Sequence, residues 1–391
     1  MDDRDQQLRV FLVDIVTKDT NAELLEDRMK ELESLLTTYG GIVVLKKFQK
    51  KDKPDYQTYV GKGKLEEIMA DMQRLDANLL IVGNVLKPSQ IYHLNELLRP
   101  INAKARDRVD LILKIFDKHA ESMEARLQVE LAAIRHMWPR IFGMGMELSK
   151  QWGNAGGGKW AMRGIGETNT EIMKRHLKYK VLKIEKELKE YEQMRKLHRD
   201  SRVRKGMPTV GIVGYTNTGK SSLLNAMTKK WILAENKLFA TLWTHVGKLY
   251  IMKNPEPRST TGKTWQKNYN SEERWKEILL NDTIGFIRDL PPKLIKSFSS
   301  TLEDSIESDL LLHVIDSSDS FIDERISIVN HILDEIGAKQ KRIMILNKID
   351  LLDKIQLAEL KKHFPQKDNV RVSVKEWTNL EAIKKAIIEN L

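Results

Sequence analysis

The sequence of 391 residues predicts an α/β protein in three parts: an N-terminal α/β domain, a helical hairpin, and a P-loop domain with a mainly parallel, doubly wound sheet. Three observations carry that expectation. Apolar segments alternate with stretches of helical periodicity twice along the chain. A long, highly charged helical stretch, interrupted by glycines, separates the two series. A phosphate-loop pattern stands at the first strand-to-helix junction of the second series. The expected boundaries are 1–116 for the N-terminal domain, 117–204 for the hairpin and 205–391 for the P-loop domain.

In the first part, residues 9–16 (RVFLVDIV) read as a buried strand, 21–36 as a helix, 41–48 as a strand and 63–75 as a helix. Leu79 to Val82 is a short apolar strand, and Pro88 to Leu98 is a helix with proline in its first turn. Another apolar segment begins at Val109. Residues 117–137 and 169–200 have helical spacing, and eight glycines between Gly143 and Gly166 read as a flexible loop joining them. The stretch 201–208 (SRVRKGMP) reads as a linker. Strands are then expected at 209–213, 278–281, 310–315, 342–346 and 370–374, with a long polar hairpin loop at 253–276.

Composition narrows the chemistry. The chain has no cysteine, which excludes disulfides, thiolate metal sites and cysteine nucleophiles. The first residues are polar and acidic, and no eighteen apolar residues run together, so a cytoplasmic protein without a membrane span is expected. The net charge is +11, yet residues 151–250 alone hold 20 basic against 8 acidic side chains. Polyanion binding is therefore expected from that block, which contains both the hairpin and the phosphate loop. Within it, Arg163, Lys174, Arg175 and Lys178 have almost no acidic neighbours in sequence, and they are the expected RNA contacts. The alternating charges at 185–193 read as a solvated helical face. Trp152 and Trp160 are either stacking groups for unpaired bases or packed against the hairpin.

The pattern G-x-x-x-x-G-K-S/T is met by Gly214, Tyr215, Thr216, Asn217, Thr218, Gly219, Lys220 and Ser221, with Ser222 following. Its backbone N–H groups can converge on phosphates, Lys220 can reach the β- and γ-phosphates, and Ser221 can ligate Mg²⁺. Asp282, Thr283, Ile284 and Gly285 form a D-x-x-G turn whose carboxylate can hold Mg²⁺ and whose glycine can meet the γ-phosphate. Asn347, Lys348 and Asp350 follow a strand, at the carboxyl edge of the sheet. A carboxylate at Asp350 accepts two hydrogen bonds from guanine and none from adenine, so these residues predict GTP and GDP and argue against an ATP-dependent kinase or motor. Ser373, Val374 and Lys375, one strand later, can support the base. His313, inside an apolar strand, is a packed core histidine.

Together these motifs resemble those of translation-type GTPases, over residues 208–391. GYTNTGKS at 214–221, LFATL at 238–242 and DTIGFIRDLP at 282–291 are similar to the HflX family of ribosome-associated GTPases. So are YVGKGKLEEI at 59–68, LKPSQ at 86–90, DRVDLILKIF at 107–116, ARLQVELA at 125–132 and RGIGET at 163–168.

The resemblance implies a Mg²⁺-dependent GTPase that binds the large ribosomal subunit and its rRNA. Its hairpin would point toward the peptidyl-transferase region, and with GTP it would separate stalled or idle ribosomes into subunits. It further implies a monomer off the ribosome. Phe239 joins the nucleotide contacts, Thr241 is the switch threonine on Mg²⁺ and the γ-phosphate, with Thr244 as the alternative, and Lys220 and Thr241 are the catalytic pair.

The chain departs from the family at several points. Leu242, Trp243, Thr244, His245 and Val246 replace L-D-P-T-T, and the hairpin tip is longer and lacks a proline. Phe286 stands where Ras-like enzymes place a water-orienting glutamine, which implies slow intrinsic hydrolysis. The rival reading is an RNA-binding assembly or remodelling factor in which GTP is a conformational ligand and hydrolysis is incidental.

Overall fold

The computed structural model describes residues 7–18, 20–154, 163–228, 245–252, 275–283, 285–291, 294, 306–365 and 369–391. These form two compact units. The first comprises Met1–Tyr191 with Asp289–Ser297, the second Glu192–Arg288 with Phe298–Leu391.

The first unit is built on β1 (Arg9–Val16), β2 (Ile42–Lys50), β3 (Leu79–Val82) and β4 (Lys104–Asp107), all parallel, in the order β2-β1-β3-β4. Three helices connect them: α1 (Ala22–Tyr39), α2 (Lys62–Arg74) and α3 (Pro88–Leu98). Strand β1 is central because its side chains are buried on both faces, as a parallel sheet covered by helices demands. Helix α1 starts where the Asn21 side chain accepts the Glu23 N–H, and stops at Gly40, whose φ of 104° terminates it. Helix α4 (Arg108–His119) follows β4 directly. Asp107 and Asp110 cap it reciprocally, each carboxylate accepting the other's backbone N–H.

Strand β4 and the helical state of residues 108–119 correct the sequence reading, which placed only an apolar segment there. The strand is short and polar (KARD) and pairs with β3 alone, so neither periodicity nor apolarity marks it. A second correction concerns the hairpin. Helix α5 (Met123–Asn154) runs through Gly143, Gly145 and Gly153, and α6 (Arg163–Arg204) begins before Gly164 and Gly166. Glycine costs about 1 kcal/mol per position in a helix, which continuous hydrogen bonding on either side overrides. Helix α6 also takes in Ser201–Arg204, part of the expected linker. Between α5 and α6 lies an apolar seam of Leu127, Leu131, Ile134 and Ile184, flanked by Trp138, Leu177 and Val181. Glu185 accepts from Arg135 at 2.8 Å, and Lys180 pairs with Glu130.

The second unit holds β5 (Thr209–Val213), β6 (His245–Met252), β7 (Trp275–Asp282), β8 (Leu310–Asp316), β9 (Arg342–Asn347) and β10 (Asn369–Arg371). Their order is β10-β9-β8-β5-β7-β6, parallel except for β6 against β7. Strand β6 was not foreseen. It pairs with β7 as a hairpin whose connection is the expected 253–276 insertion, of which Trp275 and Lys276 already belong to β7. Helices α7 (Lys220–Thr228), α8 (Ile322–Glu335), α9 (Lys354–His363) and α10 (Leu380–Asn390) complete the unit. Its core includes Ile212, Leu224, Leu280, Leu312, Ile345 and Ile383. Among the described residues no helix is long and apolar enough to cross a membrane.

Candidate nucleotide-binding site

Strand β5 lies in the middle of its sheet, and the chain leaves its carboxyl end through Gly214 to Gly219 before entering α7. This is the position at which an open parallel sheet offers a helix N-terminus to an anion. Gly214 has φ 151°, and a Cβ there would stand 2.2 Å from the Val314 carbonyl oxygen, so no other residue fits. Lys220 is 6% exposed and donates from Nζ to the Tyr215 carbonyl at 2.7 Å. Burial pushes its pKa down to about 8, against the partial opposition of Asp282.

Asp282, at the end of β7, is fully buried, and its Oδ2 accepts the Ser221 hydroxyl at 2.5 Å. Two of the three groups expected to hold Mg²⁺ are thus in direct contact. Thr283 is buried and donates from Oγ1 to the Ile212 carbonyl at 2.8 Å, a tie between strands rather than a ligand position. Gly285 faces the phosphate loop closely: a Cβ there would meet Thr216 Cγ2 at 2.9 Å and Lys220 Nζ at 3.0 Å. The Thr216 hydroxyl, beside them, is buried without a hydrogen-bond partner among the described residues. An orphaned hydroxyl, a buried ammonium and a glycine in contact leave polar groups that a phosphate would satisfy, so these residues fit a nucleoside triphosphate.

Asn347 is buried at the end of β9. Its Nδ2 donates to the Thr218 carbonyl at 2.8 Å and its Oδ1 accepts the Val374 N–H at 3.1 Å, which pins the phosphate loop to the segment at 373–375. Lys348, with φ 63°, donates to Asp316 at 2.6 Å. Asp350 is exposed, and its Oδ1 accepts the Ser373 hydroxyl at 2.6 Å. Ser373 in turn accepts the Glu376 N–H at 3.0 Å, while the Lys375 side chain is exposed. The carboxylate that would read guanine is therefore oriented from behind and open in front. Asn217, with φ 62°, and Ser222 belong to the same loop and helix start.

Family models match most of the chain: "GTP-binding GTPase N-terminal" over residues 26–117, "GTP-binding GTPase Middle Region" over 119–202 and "50S ribosome-binding GTPase" over 209–348. The GTPase HflX of Caldanaerobacter subterraneus subsp. tengcongensis is 40% identical over 351 residues, 90% of this chain and 74% of that one. The chain belongs to the HflX family of GTPases. The HflX of Flavobacterium psychrophilum is 36% identical, covering 95% of this chain and 82% of its own. That of Escherichia coli is 35% identical, covering 84% and 70%. Among solved structures the GDP complex of SsGBP is similar at 25% identity, with 98% of both chains covered and a TM-score of 0.49.

As an HflX-family GTPase the chain binds guanine nucleotide and hydrolyses GTP. Three of its expected site residues, Phe239, Thr241 and Ile284, lie outside the described residues, as do Thr244 and the hairpin tip at 155–162 with Trp160. Lys174, Arg175 and Lys178 are exposed on α6; Arg163 begins that helix, but its side chain and that of Trp152 are outside the description. His313 is 2% exposed, and burial, with Arg342 and Lys220 nearby, pushes its pKa down to about 3, so it is neutral.

Sequence reasoning missed a second polar cluster, in the first unit. Asp107, Asp110 and His136 place ligand-capable atoms close together. Arg140 occupies both carboxylates, donating to Asp110 at 2.7 and 2.8 Å and to Asp107 at 2.5 Å, so the cation held there is a guanidinium. The fully buried Arg108 pairs with the buried Glu31 of α1. The motif Asp107-Arg108-Val109-Asp110 is thus an ionic hub clamping α1 and α5. The i, i+4 spacing of His136 and Arg140 was its only sequence signal.

Proposed function

We propose that the chain is a Mg²⁺-dependent GTPase that binds the large ribosomal subunit through rRNA and uses GTP to dissociate stalled or idle ribosomes into subunits. The observation that carries this reading is the pairing, in one chain, of a phosphate site ready for a third phosphate with an exposed basic helix. Gly285, Lys220 and the unpaired Thr216 hydroxyl meet where the γ-phosphate would lie, and α6 presents Lys174, Arg175 and Lys178 to solvent. The name of the matched family model, a 50S ribosome-binding GTPase, supports the same partner.

In this reading Asp350 selects guanine, and N–H groups of the phosphate loop together with Lys220 hold the β- and γ-phosphates. Ser221, Asp282 and Thr241 would hold Mg²⁺, which when bound would supply neutralising charge to the phosphates. Phe286 is 2% exposed and apolar, so its side chain orients no water. Hydrolysis off the ribosome is accordingly slow. The hairpin carries the basic face that follows the RNA backbone.

Sedimentation of intact ribosomes with the protein and GTP, or a non-hydrolysable analogue, tests the reading. Free subunits should increase, and Lys220→Ala should abolish the increase. Binding to ribosomes with no rise in free subunits would instead support a GTP-gated assembly or remodelling factor, the alternative that the buried Phe286 favours.

A further inference from the structure

Nothing at Phe286 can take the part of a glutamine, yet Gly285 is held against the phosphate loop with no slack. Three hydrogen bonds hold it there. The Thr216 N–H donates to the Phe286 carbonyl at 2.8 Å, and the Phe286 N–H donates to the Gly214 carbonyl at 3.1 Å, closing a parallel bridge between Tyr215 and Phe286. The third is different in kind. The Arg288 N–H donates to the Tyr215 hydroxyl at 2.8 Å, so one side chain of the phosphate loop caps the segment that follows Gly285.

The Tyr215 ring is itself held. It is 3% exposed, and the Arg325 guanidinium stands over it at 4.9 Å from the centroid. Arg325, in the first turns of α8, pairs with Asp319, which fixes the cation above the ring. The neighbouring Glu324 lies 3.7 Å from the buried Arg288 guanidinium, so α8 grips both partners of the third hydrogen bond. A small crevice of about 10 Å³, lined by Tyr215, Thr218, His313, Asp319, Ile322 and Arg325, borders the ring. The ring is thus closely enclosed, and the hydrogen bond and the cation above it set where it stands.

We propose that Tyr215 is a positioning residue for GTP hydrolysis: by accepting the Arg288 N–H while clamped by Arg325, it holds Gly285 and Phe286 at the distance from the phosphate loop that the γ-phosphate requires. Backbone rigidity here does part of the alignment that a glutamine side chain does elsewhere. The tyrosine touches no reacting atom in this role. Its effect falls on the state that contains a γ-phosphate and spares the GDP state, because GDP makes no demand on Gly285.

Single-turnover hydrolysis and GDP affinity, measured on the full chain, separate this role from a general structural one. Tyr215→Phe keeps the ring under Arg325 and removes the acceptor. It should lower the rate at saturating GTP about tenfold, the rate equivalent of one hydrogen bond, with GDP affinity within about twofold of wild type. Arg325→Ala should slow hydrolysis severalfold, and Arg325→Lys, which keeps a cation over the ring, should recover most of the loss. An unchanged rate in Tyr215→Phe overturns the proposal, and so does a fall in GDP affinity as large as the fall in rate. If Tyr215→Phe does not fold, the Arg325 pair decides: equal rates in Arg325→Ala and Arg325→Lys overturn it as well.

Discussion

Lys220 is buried for a ligand, and that burial predicts a measurable instability. The residue is 6% exposed, its ammonium donates to the Tyr215 carbonyl at 2.7 Å, and its pKa falls from 10.5 to about 8. At 1.36 kcal/mol per pKa unit, holding the charge in place costs the nucleotide-free protein about 3 kcal/mol at neutral pH. Lys220→Met keeps the length and removes the charge. It removes one of two hydrogen bonds to the Tyr215 carbonyl, which keeps the Thr218 hydroxyl at 3.1 Å, a loss of about 1 kcal/mol, so the net gain is roughly 2 kcal/mol. For a unit of this size that raises the melting temperature by about 4–8 °C.

The assay is thermal denaturation without nucleotide at pH 7, followed through the transition that GDP shifts in the wild type. GDP at about a hundred times its Kd should add roughly 2.7 kcal/mol to the wild type and nothing to the variant. The sign in pH is also set. A lysine whose folded pKa is depressed binds protons less readily when folded, so the wild type gains stability as pH rises from about 8 toward 10.5. The gap between the two proteins should close over that interval. A nucleotide-free variant that melts at or below the wild type would refute the reasoning, because it would mean that the buried charge is not a cost relieved only by phosphate.

The ionic hub of the first unit makes two further predictions. Arg108→Met removes the buried cation that faces the buried Glu31 and should cost about 3–5 kcal/mol in urea unfolding, while adding Glu31→Leu should return most of it; equal losses in the single and double variants would show that the pair is not coupled. Burial pushes the His136 imidazole down, but the Asp107 and Asp110 carboxylates, at 3.4 and 3.3 Å from its Nε2, outweigh this and raise it above the ordinary histidine value, with Arg140 opposing. The stability it contributes is complete below about pH 6.5 and is lost as pH rises through its raised pKa, so the advantage of wild type over His136→Gln at pH 6 should shrink by pH 9. A constant gap would mean that folding does not change the affinity of the imidazole for its proton. At the base site, Asp350→Asn replaces an acceptor pair with a donor and should weaken GTP binding at least a hundredfold in competition assays while improving xanthosine triphosphate, whose base carries a carbonyl where guanine has its amine. Unchanged preference for GTP would remove Asp350 from base recognition.

What could be read in advance, and what could not, follows from how far along the chain each interaction reaches. Strands β1, β3 and β5 and helix α3 have the bounds the sequence implied, because an apolar run or a proline marks each of them locally. Strand β4 escaped notice because its fourth residue, Asp107, is a buried carboxylate whose partners, His136 and Arg140, lie about thirty positions away. The nucleotide site divides along the same line. Residues meant to touch a ligand, such as Lys220, Asp282 and Asp350, are legible because phosphate, metal and guanine each demand a particular chemistry at a particular strand end. Residues that hold those in place are not. Asn347 looks like part of a base-reading motif, yet both its hydrogen bonds go to the protein: one to Thr218, 129 positions away, the other to Val374. Tyr215 looks like a variable position of the phosphate loop until the Arg288 N–H, 73 positions on, is found against its hydroxyl. Phe286 shows the consequence most plainly: its side chain, read alone, marks a missing catalytic group, whereas its backbone N–H and carbonyl join the two loops that the missing group would have served.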